Sequence, residues 1–225
     1  MIGGLLLAAI AGCVNSVGIL GFSHQPISHM SGNVTYLGLG IAQENLPVFW
    51  RSLAAIFAFF AGGVVAGFIL RQAFLRMGRR YGAVLIIESG LLFVATALWR
   101  RFPEGGEMLL AAACGLQNGM ASTYSGAVVR TTHVTGMVTD FGIAFGQFLR
   151  GKAVERRRFQ LYGVLLVGFF SGAFLGTLAF GAFGADTLFF PATAAGVTGT
   201  AYVVLEHRRK AQSGKATRPA PAPSY

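Results

Sequence analysis

HMSGNVTYLG at residues 29–38 and HVTGMVTDFG at residues 133–142 are two copies of one pattern, His-x-(Ser/Thr)-Gly-x-Val-Thr-x-x-Gly. Each follows an apolar stretch that carries an asparagine, Asn15 or Asn118, and the two spacings to the motif differ by one residue. A second pair of strings, FFAGG at 59–63 and FFSGA at 169–173, stays in step. Coincidence does not persist through three markers in the same order. The chain therefore reads as a single membrane domain, 1–206, made of two related halves, 1–103 and 104–206, the kind of duplication that builds many transporter folds.

The solvent for this duplication is lipid. Hydrophobic residues are 54% of the chain, charged residues 12%, and the mean hydropathy of +0.60 is too high for one soluble domain of 225 residues. Gly recurs at small-xxx-small spacing at Gly63–Gly67, Gly142–Gly146 and Gly172–Gly176, which lets helix backbones approach closely and permits a homodimer. The net charge of +10 does not point to nucleic acid, because the Lys and Arg residues sit at the ends of apolar segments and not on one amphipathic face. Cys13 and Cys114 lie inside apolar helices with no CxxC, and read as packing residues without disulfide or metal. Ile10-Ala11-Gly12-Cys13 resembles a lipoprotein cleavage box, but no basic region precedes it; residues 1–22 are expected to be the first membrane helix.

Six stretches match the roughly 20 residues that a helical crossing requires: about 2–22, 52–71, 82–99, 107–127, 161–183 and 187–206. The motif segments, 28–44 and 132–149, are shorter and more polar. If neither crosses, 15 of the 18 Lys and Arg fall on one side; if both cross, 13 do. The positive-inside rule favours six spans, with both termini cytoplasmic in a cell (inner) membrane. Three spans per half make the halves an inverted repeat, in which loop 23–51 dips in from one face and loop 128–160 from the other, so that the motifs approach each other near the midplane. Backbone of that kind is tolerated only inside protein or against a watery cavity. The tail from about 207 to 225 is basic, then Pro- and Ala-rich, the composition of a disordered segment.

Each motif looks like a helix start, with Ser28 or Ser31, and Thr132 or Thr135, as N-caps. A short helix whose positive end lies within the membrane attracts an anionic group. The expected solute site is His29, Ser31, Asn33, Thr35, Asn118, His133, Thr135 and Thr139. Proton coupling is expected at Asp140, which stands where the first copy has Tyr36, and at Glu88, in the middle of the third span beyond snorkelling reach. The plainer role for each is to tie helices together: a buried imidazole bridging two helices, Asp140 neutralised by Arg130, and Asn15, Ser16, Gln117, Asn118, Ser122 and Thr123 as hydrogen-bonding ties. No His, Cys or carboxylate stands three or four residues from either motif His, so no metal is implied.

SHMSGNVTYLGLGIA (28–42) and GLQNGMASTYSGAVVRTTHVTGMVTDFGIAFG (115–146) closely resemble the bacterial YoaK family, DUF1275, over nearly the whole chain up to the tail. The resemblance implies a six-span integral membrane protein and supplies no substrate. Met137 stands opposite Asn33, so an amide contact in the first motif has no counterpart in the second.

HExxH, G-x-S-x-G, Walker A and a dinucleotide-binding GxGxxG are all absent, which argues against an enzyme and implies no cofactor. The expectation is an all-α polytopic bundle acting as a small secondary transporter or channel. Its partners would be the lipid bilayer and a small polar or anionic solute. The competing expectation is a membrane scaffold or regulatory protein in which the motifs only lock helices together; an intramembrane enzyme is a distant third.

Overall fold

The computed structural model describes residues 1–21, 27–70, 79–125, 131–152 and 155–216, and these are all-helical without a strand. In chain order they form α1 (Ile2–Gly21), α2 (Met30–Ala42), α3 (Leu46–Ile69), α4 (Arg79–Leu98), α5 (Pro103–Ser125), α6 (Val134–Leu149), α7 (Arg156–Phe183) and α8 (Phe189–Ala216), with a 3-10 turn, Gly184–Leu188, between the last two. The stretches Ile2–Gly21, Leu46–Ile69 and Arg79–Leu98, and Phe159–Arg209, which holds most of α7 and α8, are long and apolar enough to cross a membrane. α5 is long enough but carries Glu104, Glu107, Gln117 and Asn118. It can hold them because it lies at the centre of the bundle: Leu110, Ala111, Ala113, Cys114 and Leu116 are buried, and lipid meets little of it. At 13 and 16 residues, α2 and α6 are about 20 and 24 Å long, short of a hydrocarbon core of about 30 Å.

α3 starts six residues before the apolar run that was expected to open it. Asn45 caps it, its side chain accepting from the Val48 amide at 3.3 Å, and Pro47 fits the first turn, where no amide is needed. The expectation of disorder from residue 207 is corrected as far as Ala216: α8 continues through His207, Arg208 and Arg209, where basic side chains suit the carboxyl end of a helix and Arg209 pairs with Glu206 at 3.7 Å. Residues 217–225 lie outside the described residues.

Glycine seams join the two halves. A Cβ on Gly12 or Gly172 would fall under 3.0 Å from backbone of the partner helix in the α1/α7 contact, at Phe169 and Ala9; a Cβ on Gly115 or Gly62 would do so in the α3/α5 contact, at Phe59 and Ala112. Gly12 and Gly115 stand three residues before Asn15 and Asn118, while Gly62 and Gly172 hold the same place in FFAGG and FFSGA. The two seams therefore use matching residues of the two halves. Because Gly4 lies by Leu165, Gly168 by Leu5 and Gly176 by Cys13, α1 and α7 run parallel; the same test makes α3 and α5 parallel.

The remaining directions follow from register. Gly82 packs on the Gly199 carbonyl, a Cβ there falling 2.6 Å away, and seven residues later the Ser89 hydroxyl donates to the Ala192 carbonyl at 2.7 Å, so α4 and α8 are antiparallel. Tight turns make α5 antiparallel to α4 and α8 antiparallel to α7. α7 therefore opposes α5, and α1, parallel to α7, opposes α3. Each segment holding a motif helix begins and ends at the same end of the bundle.

Candidate functional site

Matching asparagines hold the start of each motif. The Ser28 amide and hydroxyl both donate to Asn15 Oδ1, at 3.3 and 2.9 Å. In the second half the Thr132 amide donates to Asn118 Oδ1 at 3.2 Å, the Thr131 hydroxyl donates to the same oxygen at 3.3 Å, and Asn118 Nδ2 donates to the Thr132 hydroxyl. Gln117 extends this knot, accepting from Thr131 at 3.1 Å and donating to the Leu7 carbonyl of α1 at 3.1 Å. These are the backbone and hydroxyl groups that a chain re-entering an apolar core must satisfy. Asn118, expected to bind solute, acts as this tie, and Ser28 and Thr132 are ties and not caps.

The expected caps are corrected: His29 and His133 occupy the N-cap positions of α2 and α6, and neither makes a side-chain cap bond. The His133 ring instead folds over the first turn, into space a Cβ on Gly136 would occupy. Thr35 donates to the Ser31 carbonyl at 3.0 Å and Thr139 to the Thr135 carbonyl at 2.9 Å, a matched pair of bonds inside the motif helices. His29, Ser31, Thr35, His133, Thr135, Thr139 and Asp140 are uncovered by protein. Asn33 and Met137, at matching places, are buried, with Asn33 Nδ2 donating to the His29 carbonyl at 3.3 Å. Arg130, the partner considered for Asp140, lies outside the described residues.

Depth can be read from register. Gly40 packs on Phe49 across the α2–α3 turn, so Met30, ten residues back, lies about 15 Å further in, level with Phe59. Phe141 stacks on Phe159 with ring centroids 4.3 Å apart, which carries Val134 to the level of Leu166, about 15 Å along α7 from its first residue. Both motif helices thus begin well inside the bundle and run outward to opposite ends of it. They do not touch: α2 packs on α3 and α6 on α7, on separate flanks, with no Cα pair between α2 and α6 within 8 Å. The expected meeting of the motifs is absent because α3 and α7 are drawn apart, each zipped by its glycine seam to the first helix of the other half.

Glu88 also lies well inside, between the flanks. It is 2% exposed, about 15 Å from either end of α4, beside Cys114 of α5, and its Oε2 has no hydrogen-bond partner among the described residues. Arg51 and its carboxylates, at the end of the bundle where α3 and α5 begin, were read from sequence only as charges to count for topology. Arg51 Nε lies 3.5 Å from the buried Glu107 and Nη2 lies 3.9 Å from Glu104.

A bundle whose helices are long and apolar enough to cross a bilayer several times is a multi-pass membrane protein. The chain matches the family described as "Protein of unknown function (DUF1275)" over residues 3–201, and it belongs to that family. It is 28% identical over 136 residues to the UPF0700 transmembrane protein YoaK of Bacillus subtilis (strain 168), an alignment covering 58% of this chain and 60% of that relative. No solved structure matches the chain.

The two ties allow a direct check. Asn118→Leu strands the Thr132 amide and hydroxyl inside the bundle, for a loss of about 1–3 kcal/mol, and Asn15→Leu strands the matching Ser28 groups. Both substitutions are expected to lower the detergent melting temperature and to speed amide exchange at the start of the adjoining motif helix. Unchanged exchange in both would show that the ties do not hold the motif helices in place.

Proposed function

We propose that this protein is a small secondary transporter or channel for a polar or anionic solute, built from two inverted three-span repeats with α2 and α6 as re-entrant helices. One observation carries the reading: two short helices begin inside the bundle and run to its opposite ends, around a buried carboxyl whose Oε2 has no hydrogen-bond partner among the described residues. Helix amino ends at that depth are positive poles suited to an anion, and an isolated membrane carboxyl suits a proton or cation. The solute path runs past His29 and His133 at the amino ends of the motif helices, with Glu88 between them. Asp140, uncovered on α6, is a second carrier candidate nearer the end of the bundle.

The helix directions support six crossings. The end that gathers Arg79, Arg80, Arg150, Lys152, Arg156 and Arg157 is the cytoplasmic one by the positive-inside rule, which puts both termini there. Unequal contacts support alternation: α4 lies along α5, while α8, its counterpart, meets α1 at few positions. In an inverted repeat, exchanging which of two equivalent contacts is closed exchanges the open side.

A scaffold without transport is the second reading, favoured by the hydrogen bonds that already occupy Asn15, Asn118, Thr35 and Thr139. Proteoliposomes decide between the two. Under an imposed pH gradient, the purified protein is expected to admit small carboxylates faster than empty vesicles, and His29→Ala or His133→Ala is expected to slow that uptake severalfold. Uptake no faster than in empty vesicles across a broad panel of polar solutes would leave the scaffold.

A further inference from the structure

We infer that a groove between the first turns of α3 and α5 binds the headgroup of a zwitterionic, amine-bearing phospholipid. The groove has a volume of about 590 Å³ and is lined by Trp50, Arg51, Phe102, Glu104 and Met108 among others. It lies where Arg51 and Glu104 stand with Trp50, the mixture of charge and aromatic rings that marks the level of lipid headgroups.

The charges fit a zwitterion better than an anion. Glu107 is buried, its side chain 3% exposed, and sits against Arg51 Nε, so these two neutralise each other. Glu104, with its side chain 60% exposed and 3.9 Å from the outer guanidinium nitrogen, is held loosely and leaves the groove one negative charge in excess. Beside it are two rings that the protein does not cover, Trp50 at 62% and Phe102 at 56% exposure. The Trp50 indole is fixed edge-on against Phe49 with centroids 5.0 Å apart. An exposed carboxylate flanked by open aromatic faces is a site for an ammonium group. The outer face of Arg51, 38% exposed as a side chain, is a hydrogen-bonding fork for the phosphate attached to that ammonium.

Chain direction selects a lipid over a free phosphoamine. From Trp50 an uncovered apolar stripe descends α3 at helical spacing through Phe57, Val64 and Phe68, at 62, 52 and 92% exposure. Acyl chains can follow it away from the groove into the hydrocarbon.

The test uses full-length protein in nanodiscs of equal phosphatidylethanolamine and phosphatidylglycerol, released into mild detergent for native mass spectrometry. Phosphatidylethanolamine is expected to remain bound in roughly three- to tenfold excess over its bulk share. Glu104→Gln is expected to return the ratio to bulk, while Glu44→Gln, an exposed acid in the α2–α3 turn at the same end, leaves the excess in place. Trp50→Leu should act as Glu104→Gln does; if it fails to fold, the Glu104 variant, an exposed isosteric change, still decides. A bulk ratio in the parent protein, an excess of phosphatidylglycerol, or an excess that survives Glu104→Gln would each overturn the assignment. Every outcome is read without reference to transport.

Discussion

Gly12→Leu and Gly115→Leu are each expected to remove most of the folded protein from the membrane, and by similar amounts. At both positions the first carbon of any side chain would sit under 3.0 Å from a carbonyl oxygen of the neighbouring helix, Phe169 for one and Phe59 for the other. Backbone cannot yield as a side-chain tip does, so the helices of the seam must separate. In lipid that separation forfeits the close van der Waals packing that associates helices at all. Even alanine overpacks such a contact at a cost of about 1–3 kcal/mol. The two seams are separate contacts, so Gly12→Ala with Gly115→Ala should lose close to the combined amount, a large part of a stability of about 5–15 kcal/mol. Gly67, Gly90 and Gly142 supply the opposite sign. They lie within helices with nothing within 4 Å of a built Cβ, and alanine there should stabilise by up to about 1 kcal/mol through helix propensity. Melting midpoints after size-exclusion chromatography in detergent measure both sets. If Gly12→Leu melted like Gly67→Ala, the α1/α7 seam would not be the contact that holds the halves together.

Those seams also mark what could and could not be read from sequence. The helices were legible because apolar length and breaker residues are local. That each motif segment forms a short helix of its own was legible because a short polar segment between two long apolar ones has few ways to satisfy its backbone. Lateral position was not. A periodic pattern says which face of α1 is small, but α1 and α5 carry equally suitable glycines, and nothing local says that Gly12 meets α7 or that Gly115 meets α3. The error over the motifs follows from this. Two segments read as dipping in from opposite ends were expected to meet, whereas the crossed seams set α2 and α6 on separate flanks.

The caps failed for a different reason. Ser28 or Ser31 and Thr132 or Thr135 are capping types, and local rules place each cap one residue before or two residues after the observed position. Asn15 and Asn118, about fourteen residues upstream, take the Ser28 and Thr132 hydroxyls instead, leaving His29 and His133 at the N-cap positions. A pair of polar residues already noted for its conserved spacing within the chain was the available signal. The α3–α5 groove gave less warning, since Arg51 and Glu107 lie far apart in sequence and become a pair only through the parallel seam that aligns their helices.

Glu88→Leu is expected to raise thermal stability while abolishing proton-coupled flux. Burying a carboxyl with an oxygen left unpartnered among the described residues costs about 1–3 kcal/mol, and leucine fills similar space beside Cys114 without that penalty. For a chain of this length each kcal/mol moves the melting point by roughly 2–4 °C, so the shift should be upward by several degrees. Glu88→Gln keeps the shape and the unsatisfied polar group, and should melt near the parent while losing coupling as leucine does. The joint readout separates the roles. A residue retained to tie α4 to α5 would destabilise the bundle when made apolar, and flux would fall only as folded protein is lost. A carrier is tolerated at a cost to stability because the bundle centre needs a group that can take up and release charge. A drop in melting point for Glu88→Leu, or undiminished coupled flux in either variant, would remove Glu88 from the path.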